Sequence, residues 1–124
     1  MNYLIVFVGG GLGAAARFGL NLSVPRVFGN QLPWHTLIIN ITGCFVMGAI
    51  TAWLASRPSI AAEWKLFLTT GILGGYTTFS AFALDFASLL ERGDSAPALA
   101  YAVASVVFSI LACFAGLAIV RAFA

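Results

Sequence analysis

Charge is what this chain has least of. Among 124 residues there are six Lys or Arg, four Asp or Glu and one His, while 61% of the residues are hydrophobic. A water-soluble domain this short has a large surface to cover with polar groups, and about a quarter of the residues in such domains are charged. That shortage excludes water as the solvent and points to lipid. The formal net charge of +2 is too small to suggest nucleic acid. The two cysteines, Cys44 and Cys113, lie in apolar runs without a CxxC spacing or a histidine partner, and read as small buried hydrophobes. His35 has no metal-ligand spacing around it. Paired carboxylates and a Ser-His-Asp set are absent too, so the chain has nothing to catalyse with and is not an enzyme. Gly9-Gly10-Gly11 falls inside an apolar run and not after a strand, which excludes a phosphate loop. The N-terminal run starts at Tyr3 without a basic n-region and outlasts the apolar core of a leader, so it is expected to stay in the mature protein.

Long apolar runs are abundant. A spanning helix needs about 20 mostly apolar residues, and four windows qualify: roughly 3–24, 34–55, 61–90 and 98–120. Pro25 is expected to end the first and Arg57-Pro58 the second. The third stops at Glu91-Arg92-Gly93-Asp94, and Pro97 stands at the start of the fourth. The fold class is therefore all-α: a single domain of four transmembrane helices over residues 1–124. Tyr3, Trp34, Trp53, Trp64 and Tyr101 fall near span ends, where an aromatic belt belongs, although Tyr101 is equally placed to face inward.

Orientation follows Lys/Arg asymmetry. Arg57, Lys65 and Arg121 lie on the side of the termini, and Arg26 and Arg92 lie on the other. So slight a bias predicts insertion both ways, and two inverted copies would form an antiparallel dimer. The alternative is that the one extra positive charge orients every copy alike.

Polar residues inside spans need a reason of their own, and here they form stripes at a spacing of three or four. The first span carries Gly9, Gly13, Arg17 and Asn21; the glycines suit close helix packing. Arg17 is placed to snorkel or to line a vestibule. The second carries Thr36, Asn40, Gly43, Met47 and Thr51. Asn40 either glues helices together or aims a donor at a permeating anion. The fourth carries Tyr101, Ser105 and Ser109, continued by Cys113 and Gly116. These hydroxyls either bond back to their own helix or form a track that replaces hydration water.

The third span is the informative one. Gly74-Gly75 followed by Thr77-Thr78 is poor helix material, and the window is longer than one crossing requires. Its centre at Tyr76-Thr77 predicts a helix broken at the bilayer midplane. Irregular backbone at that depth must be buried in protein or line a polar cavity. Beyond the break Phe79, Phe82 and Phe86 share a face. Aromatic ring edges carry the positive part of the quadrupole, so they can receive a small anion without a formal charge. Together the stripes read as a donor-rich anion route that lacks a full charge to trap the ion. Four helices enclose little space, which calls for contributions from two subunits.

Three motifs in order carry a family resemblance: GGLGAAARF from Gly10, TLIINITG from Thr36 and GGYTTFSAF from Gly74. Over nearly its whole length the chain resembles the Fluc, or CrcB-type, fluoride channels. The resemblance implies an antiparallel, dual-topology homodimer with two fluoride pathways in the inner membrane of a prokaryote, exporting cytoplasmic fluoride passively. It implies Phe79 and Phe82 as the rings that contact fluoride, and Asn40, Thr36, Tyr101, Ser105 and Ser109 as pore-lining groups. The backbone carbonyls of Gly74 and Thr77 would hold a structural sodium ion (Na+) on the dimer axis, with Arg17 and Asp85 near the vestibule. Ala81 stands where Thr is frequent in relatives. The alternatives are a small dual-topology multidrug exporter and a scaffold whose stripes only pack. Exporters of that kind need a deep carboxylate, and the deep parts of these spans have none.

Overall fold

The computed structural model describes residues 1–124, and all of its regular structure is helical. Helix α1 is Asn2–Phe28 and α2 is Trp34–Ala55. Helix α3 covers 62–76 in three joined pieces: an α-helical turn at Ala62–Leu66, a wide π-helical stretch at Phe67–Leu73, and a last α-helical turn at Gly74–Tyr76. Helix α4 is Phe79–Glu91 and α5 is Ser95–Phe123. Taken as one bent unit, α3 and α4 make the third of four stretches long and apolar enough to cross a membrane.

Proline acts differently from expectation at the end of the first span. Helix α1 runs through Pro25 to Phe28. The ring costs the one bond its N–H would have donated to the Asn21 carbonyl, and the helix continues because Gly29 N–H closes the last turn on the Pro25 carbonyl at 2.9 Å. Helix α5 begins at Ser95, so Pro97 sits inside the first turn, where its missing N–H would have had no intrahelical partner.

Each traverse reverses direction, so α1 runs parallel to α3, and α2 parallel to α5. Glycine makes both seams. A Cβ on Gly9 would stand 2.9 Å from Gly71 Cα, and one on Gly13 would run into the Ile72 carbonyl. Across the other seam a Cβ on Gly48 would strike the Cys113 carbonyl, and one on Gly116 the Phe45 carbonyl. Backbones approach this closely only where side chains are missing. Over the whole chain only 17 of 124 residues are buried. Large side chains such as Phe7, Phe79 and Phe114 face outward, as lipid or a second chain requires.

The break falls at Thr77-Thr78, slightly later than the sequence centre suggested. Thr77 (φ −77°, ψ 155°) and Thr78 (φ −152°, ψ 121°) are both extended. Thr78 is then the N-cap of α4, its hydroxyl accepting from Ala81 N–H at 3.1 Å. A capping threonine decides where the second half-helix starts.

Candidate functional site

The interruption leaves backbone groups that need partners, and Asn40 supplies them. Its Nδ2 donates to the Thr78 carbonyl at 2.9 Å, and its Oδ1 accepts from Thr78 N–H at 2.9 Å. The Thr78 N–H is thereby turned to α2 and makes no helical bond back to the Gly74 carbonyl. Nearby, Tyr76 Oη lies 2.9 Å from Thr42 Oγ1, which itself donates to the Ile38 carbonyl at 2.7 Å. Gly43 leaves room for the Tyr76 ring and the Thr77 methyl on the surface of α2. One turn of α2 therefore carries the whole break.

Beside the break lies a cavity of about 320 Å³ walled by Asn40, Cys44, Phe79, Phe82, Ser105 and Ser109, among others. The parallel run of α2 and α5 sets their stripes face to face: Asn40 and Cys44 on one wall, Ser105 and Ser109 on the other. One turn on, the seam closes where Gly48 meets Cys113. No charged side chain lines this space.

Its polar groups are under-used. Ser105 Oγ and Ser109 Oγ are buried and have no hydrogen-bond partner. Bonding back to their own helix, the ordinary fate of such hydroxyls, does not occur here. The Asn40 amide spends one Nδ2 hydrogen on Thr78 and keeps the other. The Phe79 and Phe82 rings lie 5.5 Å apart at 51°, and Phe82 lies 5.3 Å from Tyr101 at 39°. Phe79 is 77% exposed, so its ring marks the open side of the cavity.

Other expected residues lie around this centre and not in it. Tyr101 is buried and donates to Asp85 Oδ2 at 3.0 Å, and so leaves the aromatic belt. Thr36 is buried one turn from Asn40 but does not wall the cavity. Asp85 borders a separate polar cavity of about 150 Å³ together with Gln31, His35, Ser88 and Arg92. There Arg92 Nη2 donates to Asp94 at 2.8 Å and to the Gln31 carbonyl at 2.9 Å, joining two loops. Phe86 packs against the cluster of Leu89, Ala98 and Tyr101. Thr51 is exposed, because the inward face of α2 drifts to Ala52 at that end. Arg17 is half-buried and pairs with no carboxylate. Thr77 walls the cavity, but its hydroxyl is committed to the Leu73 carbonyl at 2.9 Å. Gly74 is exposed at the break.

Cys44 is the residue the sequence reading misplaced. It is not a filler but part of the cavity wall. Its position one turn beyond Asn40 was the available signal; the adjacent Gly43 stood in the expected stripe instead.

A bundle of membrane-crossing helices with a neutral, donor-bearing cavity at a helix break defines a multi-pass membrane protein of the channel kind. The family model described as CrcB-like protein, Camphor Resistance (CrcB) matches residues 4–117, and the chain belongs to this family. Similar proteins are named fluoride-specific ion channel FluC. One from Nitrobacter hamburgensis is 55% identical over 98% of both chains. One from Rhodopseudomonas palustris is 50% identical over 98% of both. One from Methylobacterium nodulans is 50% identical over 99% of this chain and 98% of its own length.

Proposed function

We propose that this protein is a fluoride channel that lets cytoplasmic fluoride leave passively through the inner membrane of a prokaryote. The observation that carries the reading is the pair of buried hydroxyls, Ser105 and Ser109, left without partners in a cavity otherwise walled by Asn40 and two phenylalanines. A buried polar group without a partner costs about 1–3 kcal/mol, a cost that a permeating anion offsets. Fluoride is small and strongly hydrated. Donors spaced a turn apart replace its water in steps, and neutral dipoles and ring edges steady it without trapping it. The N-terminus of α4, capped by Thr78 and pointing into the break, adds the positive end of a helix dipole. Hydrogen fluoride crosses lipid as the neutral acid and dissociates inside, so a passive route for the anion is sufficient for export.

The working unit is an antiparallel, dual-topology homodimer with two pathways. The exposure of Phe79 and of the Gly74 backbone at membrane depth supports a second chain as their cover. The break also fits a structural sodium ion. The carbonyls of Gly74 and Thr77 would hold it, since Thr78 N–H does not bond to Gly74 and the Thr77 hydroxyl is committed elsewhere. Neutral carbonyl oxygens at a helix C-terminus suit a hard monovalent cation. When bound, it would supply positive charge at the junction between the two chains. An exporter of cationic drugs is disfavoured, because Asp85, the acid nearest the break, already accepts from Tyr101 at a polar mouth.

Efflux from proteoliposomes is the test. Fluoride should leave much faster than chloride, and Phe82→Ile should abolish the difference by stopping fluoride. Wild-type vesicles that hold their fluoride against a steep gradient would refute the reading.

A further inference from the structure

Cys44 is a free thiol in the wall of the cavity, at the level where the facing stripes of α2 and α5 end. Above it stands Asn40, and across from it stand Ser105 and Ser109. Ser105 is 94% buried, as its 6% exposure shows, and its hydroxyl has no partner, so it keeps a hydrogen bond free for an occupant of this space. Below Cys44 the Gly48–Cys113 contact shuts the seam. A group attached at Cys44 is thereby kept from that end of the seam, and the cavity is the space beside it.

We propose that Cys44 is a soft-metal site in the wall of the conduction path, taking a thiophilic cation such as Hg(II) and closing the path when occupied. The proposal rests on the channel reading for its effect on flux, but not for its chemistry. With neutral HgCl₂ as the probe the step is a ligand exchange. The Cys44 thiol loses its proton to water, a sulfur–mercury bond forms, one mercury–chlorine bond breaks, and chloride leaves with the electron pair. Nothing is oxidised or reduced. Thiolate is the preferred ligand for soft metals, and the hydroxyl and amide groups around it are poor competitors. Cys113 does not wall the cavity.

The test treats purified protein in liposomes with HgCl₂ and reads two quantities. Intact mass and peptide mapping report where mercury sits; fluoride efflux, normalised to the same protein before treatment, reports closure. The expected result is one mercury per chain on Cys44, loss of most efflux, and recovery with excess dithiothreitol. Cys113→Ser should behave as wild type, while Cys44→Ser should keep its own untreated rate after HgCl₂. Absence of mercury on Cys44 in folded protein overturns the site, as does loss of the block in Cys113→Ser. Mercury on Cys44 with efflux intact overturns its place in the path. Protein with no efflux before treatment counts against the channel reading and the closure together, while the mass measurement still decides the metal site.

Discussion

Asn40 satisfies both backbone groups of Thr78 with a single amide and still has one donor for the cavity. Removing it should therefore harm fold and flux together. Asn40→Ala leaves a buried N–H and carbonyl unpaired, at about 1–3 kcal/mol for each group. The expected outcome is a lower melting temperature in detergent and little fluoride efflux. Ser105 is the opposite case. Its hydroxyl bonds to nothing in the resting protein, so Ser105→Ala should leave stability unchanged or raise it by up to about 1 kcal/mol, while fluoride efflux falls. That separation is the signature of a residue kept for an ion and not for packing. Paired melting and efflux measurements on one preparation check it.

At the scale of elements, the two parallel seams depend on missing side chains. Gly48→Ala places a methyl group against the Cys113 carbonyl, and overpacking of this kind costs about 1–3 kcal/mol. The strain should spread α2 from α5 at the end of the cavity, which a drop in melting temperature would register. The half-helices have their own control point. Thr78→Ala removes the cap that accepts from Ala81 N–H, worth about 1 kcal/mol, yet leaves the backbone bonds to Asn40 possible. It should destabilise less than Asn40→Ala in the same melting assay. The π-helical stretch at Phe67–Leu73 precedes the break directly; wide turns of this kind are frequent at functional sites.

The whole molecule buries little of itself, because its apolar exterior is meant for lipid and, in the dimer proposed above, for a second copy. Its orientation rests on few charges. Arg57→Ala with Lys65→Ala reduces the positive side to Arg121 against Arg26 and Arg92. The mixed insertion proposed for the wild type should then collapse toward a single orientation, with the termini outside. Reporters fused to the C-terminus read this directly, and fluoride efflux should fall with the loss of inverted pairs. The proposed sodium makes a further prediction at this scale: replacing sodium by a large organic cation during purification should weaken association of the two chains, measured by crosslinking yield.

The number of spans, the solvent, the broken third span and most of the residues that meet at the break were legible in the sequence. They follow from local quantities: apolar run length, the poor helix propensity of Gly74-Gly75 and Thr77-Thr78, and polar residues at helical spacing. Other features depended on which helix faces which, and spacing within one span cannot report that. Only the tertiary structure put Cys44 in the cavity wall, because this requires α2 and α5 to run parallel with Asn40 and Ser105 on facing walls. It alone turned Tyr101 inward onto Asp85 and left Ser105 without a partner, because a hydroxyl's alternatives depend on its neighbours across the seam. Pro25 likewise looked like a helix end, and the closing of the last turn by Gly29 carried α1 past it. The one-dimensional pattern determines what each helix can bury; the packing of the helices decides what each buried group is left to bind.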